Sequence, residues 1–374
     1  MSEVGHVVVI GGGVAGCATA YYLSAAGARV TIVEREGIGN QASAWSAGGL
    51  NPLQGIPAPI SAFAMDSFRL HLALWPEIER LSGKALGARR ISMAYVARND
   101  DEVSEQLELR DDFEDGRADG FSGQWLETAE FLTLEPRIAP SIAGALLTYG
   151  NAILDSHRLT VLLAEAAQSL GATVQAGAVT VLAHSGGRVT AVEVDGGALP
   201  CDAAVIAMGP WTGAAEAWLG VPLPVEPLKG EILRMTQSGS PLKCDVVATG
   251  ISLFGREEGQ IWLASTQQKL GFDREPSEWA YRTLYDAAVK LMPSIAEASL
   301  LKQTACLRPV TPDDLPIVGA VPSWDNVYVG TGGGTKGILL APAMGRAIAD
   351  LILTGQTSLS IRACDPARFT TGRR

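Results

Sequence analysis

The run Val7-Val8-Val9-Ile10 breaks at Gly11-Gly12-Gly13-Val14-Ala15-Gly16, and this opening limits the possible folds more than any other stretch. Four β-branched residues ending at glycine read as a buried parallel strand that feeds a tight turn. A helical pattern covers 15–26 and Gly27 stops it. Arg29-Val30-Thr31-Ile32-Val33-Glu34 then reads as a second strand, ending in an acid 18 residues past Gly16. In this G-x-G-x-x-G unit Gly11 permits the turn and Gly13 admits a pyrophosphate close to the backbone. Gly16 lets the helix lie against the strand. The helix start at Val14 and Ala15 offers free N–H groups and a positive dipole end, and Glu34 can accept hydrogen bonds from a ribose diol. A glycine-rich loop alone would be a weak signal. Strand, turn, helix, strand and acid in register predict a dinucleotide site.

No Asp, Glu, Lys or Arg occurs from Val7 to Ala28, a length that would also suit a membrane span. The glycine break argues against that, and no basic segment or A-x-A cleavage site precedes the run. The expectation is therefore neither an integral membrane segment nor a signal peptide. Composition agrees: 47% apolar and 18% charged residues give enough material for a large core, and 374 residues suggest two domains. A net charge of −11 argues against binding to nucleic acid or an anionic membrane. The five cysteines are scattered without a CxxC, which fits a reducing, cytoplasmic setting rather than a disulfide or zinc framework. The histidines at 6, 71, 157 and 184 form no cluster, so no metal site is expected.

An acid at Glu34, in place of a small residue followed by Arg, disfavours a 2′-phosphate, which leaves FAD or NAD ahead of NADPH. The stretch from Gln41 to Pro52, containing Ser43, Ala47, Gly48, Gly49 and Leu50, is small-sided and could bring backbone amides against a flat ring. A plain surface loop is the other reading. Ser43 and Ser46 lack the G-x-S-x-G setting of a nucleophile elbow, so a hydrolase is not supported. Near the other end, Val327-Tyr328-Val329 leads to Gly332-Gly333-Gly334-Thr335-Lys336-Gly337 and a helix from Gly337 to Leu353, with Arg346 and Asp350 on its polar side. This second helix start can face a polar acceptor or can be an ordinary cap.

Four separated segments make the chain similar to the FAD-dependent amine and amino-acid oxidoreductases, the D-amino-acid oxidase superfamily, with the glycine oxidases nearest. They are Gly11–Glu34, Ser43–Leu50, the run from Ala204 to Thr212 that holds Gly209, Pro210 and Trp211, and the region Leu307–Gly345. In the last, Leu307-Arg308-Pro309-Val310-Thr311-Pro312-Asp313 resembles the family's LRPxTPD signature, and Pro227-Leu228-Lys229-Gly230-Glu231 resembles its P-x-K-G-E turn. The resemblance implies an α/β fold: a Rossmann-type, glutathione-reductase-like FAD domain with a discontinuous, mainly antiparallel α+β substrate domain. It assigns 1–82, 150–218 and 307–374 to the first and 83–149 and 219–306 to the second. It also implies cofactor contacts from Gly11, Gly13, Val14, Ala15, Gly16, Glu34, Arg35, Ser43, Ala47, Gly48, Gly49, Leu50, Val179, Gly209, Trp211, Gly334, Thr335, Lys336, Gly337 and Ile338.

The implied chemistry is hydride transfer to flavin N5 from the carbon beside the nitrogen of a small amino acid or amine, giving an imine that hydrolyses. O2 or another acceptor would reoxidise the flavin. Arg308 is the cation expected to hold a substrate carboxylate, because a guanidinium makes paired hydrogen bonds to it. The other reading of Arg308 is structural, on backbone carbonyls or the Asp313-Asp314 turn. Ser252 stands where glycine oxidase places a tyrosine, and Thr335 with Lys336 where it carries an arginine; Lys336 is expected either at the flavin edge or in solvent. Gln260-Ile261-Trp262-Leu263 lacks the oxygen-activating lysine of sarcosine oxidases, and Cys306 falls near their covalent FAD attachment, although a buried cysteine is the commoner case. These departures keep open a 2-hydroxy-acid oxidoreductase and a flavin-binding protein without amine turnover. Monomer and homo-oligomer are equally open.

The remaining pattern predicts helices at 62–82, 157–170 and 276–292, a solvated acidic helix and turn over 100–119, and a short helix over 211–219. Strands are expected at 91–97, 173–175 and 203–207, a hairpin at 178–184 and 188–195, and mainly strands over 223–265.

Overall fold

The structure, a computed structural model, describes residues 5–236, 239–256 and 259–370. The chain divides into two compact units: one of residues 1–87, 154–228 and 307–374, the other of 88–153 and 229–306.

The first unit is built on a six-stranded sheet. Its order is Ile317–Ala320, Val327–Thr331, Ala203–Ile206, β1 (His6–Ile10), β2 (Arg29–Glu34) and Thr173–Ala176. All neighbours are parallel except the first pair, so the sheet is mainly parallel with an antiparallel edge. β1 is central and buried at every position, which accounts for its unbroken apolar run. The helix α1 (Val14–Ala25) has small or apolar residues all round and is buried on most of its surface. It lies against the C-terminal helix Gly337–Thr354 so closely that a Cβ at Gly345 would stand 2.6 Å from the backbone of Ala18 and Thr19. By length and composition this C-terminal helix could also cross a membrane, but its apolar residues form the core between α1 and α2 (Ser61–Ser82). A three-stranded antiparallel sheet, from strands 179–185, 188–194 and 197–200, closes the other side of the core.

The second unit is a mixed sheet ordered Leu300–Val310, Glu226–Thr236, Gln260–Ala264, Ile251–Arg256, Asp245–Ala248, Arg89–Ala97 and Gly144–Ile153. It is antiparallel apart from the Asp245–Ala248 and Arg89–Ala97 pair. Helix Glu278–Leu291 packs Leu284, Ala288 and Leu291 onto Leu233, Leu253 and Leu263. The acidic helix Asp100–Asp115 buries only Phe113, whose ring meets Phe121 edge-on at 5.8 Å.

Two expectations need revision. The segment 211–219 is not one helix: a 3-10 stretch Gly209–Ala215 precedes a single turn Glu216–Leu219, and Gly213 lies inside the segment, where glycine weakens a regular helix. The division between the units falls at 228/229 rather than 218/219, since Leu219, Leu223 and Val225 belong to the core of the first unit. It falls at 153/154 rather than 149/150 because Gly144–Ile153 is one continuous strand, and at 87/88 rather than 82/83.

Candidate functional site

In a parallel sheet all carboxyl ends lie on one edge, and this edge is where open α/β sheets take ligands. Here it carries Gly11 after β1, Glu34 at the end of β2, Gly209 after Ala203–Ile206 and Gly332 after Val327–Thr331. Val179, half-buried, opens the strand that follows Thr173–Ala176. The sheet thus gathers residues that lie far apart in sequence.

At the first turn, Gly11 has φ +111°, and a Cβ there would sit 2.3 Å from the Ala207 carbonyl oxygen. A Cβ at Gly16 would sit 2.0 Å from the Gly11 carbonyl oxygen. Both glycines are obligatory for the packing of the protein itself. Gly13 differs: its nearest neighbour would be Ser43 Oγ at 3.7 Å, so its open face is available to something else. Gly13 provides no side-chain cap for α1, and Ser43 Oγ accepts the Val14 N–H at 3.0 Å. Glu34 is held in place by two backbone donors, Gly12 N–H to Oε2 and Glu36 N–H to Oε1, each at 2.7 Å. Its remaining lone pairs can still accept hydroxyls. The Arg35 guanidinium lies 4.5 Å from the ring centre of Trp211 and pairs with Glu36 at 3.2 Å. Gly209, at φ +54°, has its carbonyl bound by Thr212 Oγ1 at 2.8 Å and Thr331 Oγ1 at 3.1 Å. This threonine pair left no signal in the sequence.

The segment 43–50 is pinned rather than loose. Gly48, at φ +78°, would drive a Cβ to 1.9 Å from the Leu154 carbonyl oxygen, and its own carbonyl accepts the Leu154 N–H at 3.1 Å. Its N–H donates to Ser46 Oγ at 3.1 Å. Gly49 is open and exposed, Leu50 is buried, and Ala47 is half-buried between them and Ser46.

The second glycine turn is seated on the proline turn before it. A Cβ at Gly332 would meet Thr311 Cγ2 at 2.9 Å, and Thr311 Oγ1 closes its own turn onto the Leu315 carbonyl at 2.7 Å. A Cβ at Gly333 would meet Gly337 Cα at 2.7 Å, whereas a Cβ at Gly337 would meet nothing within 4 Å. The residue before Gly337 supplies no side-chain cap, so the first turn of this helix keeps donors for a ligand, whereas at α1 Ser43 already takes the Val14 N–H. Gly334 has φ +52°, Thr335 is exposed and Ile338 is buried. Lys336 points inward, not into solvent: its Nζ donates to the Gln54 carbonyl at 2.6 Å. Burial lowers its pKa to about 8, with no carboxylate to compensate. Asn51 Oδ1 accepts the N–H groups of Leu53 and Gln54, so Lys336 grips an already folded turn. A contact from a lysine to a distant backbone carbonyl leaves no signal in the sequence.

Arg308 is half-buried near the end of strand Leu300–Val310. Asp313, one of the partners expected of a structural Arg308, is bound by Arg368 at 2.8 Å. Burial opposes that charge, and Arg368 outweighs it, leaving the Asp313 carboxyl below its ordinary range. Cys306 is buried and forms no disulfide. Ser252 belongs to the second unit, half-buried on strand Ile251–Arg256 between Val247 and Ala264. Among the described residues no group of three His, Cys, Asp or Glu side chains could hold a metal ion.

Two helix starts whose preceding residues supply no side-chain cap, an open face at Gly13 and another at Gly337, and a fixed acid at the end of β2 fit a dinucleotide carrying a flat polar ring. A family model described as FAD dependent oxidoreductase matches residues 6–351. The chain is 29% identical over 391 residues to a glycine oxidase of Pseudomonas aeruginosa, with all of both chains covered. It is 31% identical over 401 residues to a D-amino acid dehydrogenase of Methylobacterium radiotolerans, covering 93% of this chain and 95% of that one. The crystal structure of glycine oxidase from Geobacillus kaustophilus superposes with a TM-score of 0.90 at 29% identity, over 97% of this chain and 98% of that one. With both glycine turns inside the matched range, the chain belongs to the FAD-dependent oxidoreductase family and is an FAD enzyme.

Proposed function

We propose that this enzyme oxidises the C–N bond of a small amino acid or a related amine. The first unit is the FAD domain and the second the substrate domain. The observation that carries the reading is whole-length similarity to glycine oxidases and D-amino acid dehydrogenases in a chain that keeps Arg308 in its LRPVTPD segment. FAD, when bound by this unit, would supply a hydride acceptor for the carbon beside the nitrogen, and water would hydrolyse the resulting imine.

The residues of the chain hold the partners. Gly13, Val14, Ala15 and Gly16 offer the pyrophosphate a helix start, and Glu34 and Arg35 border the ribose and adenine with Val179. Ser43, Ala47, Gly48, Gly49, Leu50, Gly209 and Trp211 flank the dinucleotide, while Gly334, Thr335, Lys336, Gly337 and Ile338 face the ring. Arg308 holds the substrate carboxylate. Ser252 lends a hydroxyl where relatives carry a larger group, which leaves room for a bulkier substrate. Steady-state release of ammonia from glycine, D- and L-amino acids, or of methylamine or formaldehyde from sarcosine, tests the reading. Such a product from at least one of these, matched by acceptor reduced, supports it; 2-hydroxy acids consumed in their place would overturn it.

A second reading concerns only the acceptor. No lysine occurs in strand Gln260–Ala264, and a D-amino acid dehydrogenase is among the relatives. Both favour an electron acceptor other than O2, and turnover faster with a quinone or dye than with air would support that.

A further inference from the structure

The C-terminal helix is broken just behind its first turn and repaired from outside. Pro342 has no N–H, so the Ile338 carbonyl lacks the donor that an α-helix would supply. His71 takes that place, with Nε2 at 2.9 Å from the Ile338 oxygen. A carbonyl only accepts, so Nε2 carries the hydrogen and Nδ1 is bare; Nδ1 is buried without a partner. Burial keeps the ring neutral, its pKa lowered to about 4.

The next rung is also braced from outside. Ser67 Oγ accepts the Ala343 N–H at 3.1 Å and donates to the Leu339 carbonyl at 2.6 Å, so one hydroxyl bridges the two backbone groups of that rung. Ser67 and His71 are four residues apart on α2, hence on one face, and both are fully buried.

Ile338 and Leu339 directly follow Gly337, the open position facing the proposed flavin ring. Holding the Ile338 carbonyl fixes the plane of the peptide that carries the Leu339 N–H, the last first-turn donor without a helix partner; the next peptide, held at the Leu339 carbonyl, carries the Leu340 N–H that closes the first helix bond onto Lys336. We propose that Ser67 and His71 are positioning residues for the flavin: by bracing these two peptides they set the direction of the first-turn donors. This rests on the reading that the Gly332–Gly337 turn holds the flavin ring. The donors favour electron density on the ring, so their misalignment makes the flavin harder to reduce.

The test compares His71→Phe, His71→Gln, Ser67→Ala and Gly337→Val in the FAD-loaded protein. It reads the FAD dissociation constant, the flavin absorption spectrum and the flavin midpoint potential. His71→Phe and Ser67→Ala should each weaken FAD about tenfold, shift the spectrum and make the potential more negative. His71→Gln keeps an N–H donor near the Nε2 position and should restore most of both. Lower thermal stability with unchanged potential and spectrum in Ser67→Ala and His71→Phe would overturn the proposal. Gly337→Val separates the two levels, because its side chain meets no protein atom within 4 Å at Cβ. If it disturbs FAD while the α2 variants do not, only the positioning role falls. If it too leaves FAD binding and spectrum unchanged, the turn does not hold the ring and the proposal falls with that reading.

Discussion

The Gly12 N–H donates to Glu34 Oε2 at 2.7 Å, which ties the acid at the end of the second strand to the turn at the end of the first. With the Glu36 N–H on the other oxygen, the carboxylate is oriented before any ribose arrives. Preorganisation of this kind lowers the cost of binding. Glu34→Ala should therefore weaken FAD by about 10- to 100-fold, the worth of one or two hydrogen bonds to a charged group. Glu34→Ala also removes two hydrogen bonds of the cofactor-free protein, so its melting temperature should fall as well, and affinities are compared at a temperature where both proteins are folded. Flavin fluorescence quenching on titrating cofactor-free protein measures both affinities, and equal affinities would remove Glu34 from the site.

Gly16 and Gly13 separate packing from ligand approach. A Cβ at Gly16 would press on the Gly11 carbonyl at 2.0 Å, so Gly16→Ala should destabilise the cofactor-free protein by about 3 kcal/mol. Gly13 has φ −75° and no near neighbour, so Gly13→Ala should fold with an unchanged melting temperature and bind FAD poorly. Thermal unfolding and FAD titration of the pair decide it; a Gly13→Ala protein with wild-type FAD affinity would contradict the assignment.

Lys336 gives a pH signature. Its folded pKa is lowered to about 8 from 10.5, so between those values the unfolded chain holds one more proton than the native one. Stability contributed by this group therefore rises with pH across that window, and the burial penalty is fully present below it. In cofactor-free protein, wild type should gain stability relative to Lys336→Met as pH rises from 7 to 10. Melting curves of both proteins along that range check the sign, and a difference that is independent of pH would mean that Lys336 titrates normally.

Arg308→Ala should raise the KM for an amino-acid substrate by about 100-fold, as expected if 2–4 kcal/mol of paired hydrogen bonding is lost. FAD loading should be intact, and Arg308→Lys should recover only part of the loss because an ammonium cannot match the planar fork. Steady-state kinetics on flavin-replete protein is the measurement, and an unchanged KM would leave Arg308 a structural residue.

The sequence was most legible where structure is local. The strand, glycine turn, helix and second strand over residues 6–34 lie within one or two residues of the expected bounds, since β1 is buried on both faces and Gly27 ends α1 at φ +85°. It was least legible where a side chain reaches across the chain to a backbone carbonyl. Lys336 on Gln54, His71 on Ile338 and the Thr212–Thr331 pair at Gly209 have no spacing to betray them. The short helix expected over 211–219 failed for a different reason: Gly213 acts locally against an apolar pattern that suggested regularity. Packing also decided the edge of the first unit, where Leu223 and Val225 complete a core begun more than two hundred residues earlier by Val8 and Ile10.

The central claim is that a small amine or amino acid delivers electrons to FAD held by this chain, and anaerobic mixing tests it without regard to the final acceptor. Oxidised enzyme is combined with glycine, sarcosine, D- and L-amino acids in turn, and the flavin absorbance is followed. The account predicts rapid, stoichiometric bleaching by at least one of them, abolished or slowed in Arg308→Ala at low substrate. Full FAD loading with no bleaching by any amine, or bleaching by 2-hydroxy acids alone, would contradict it.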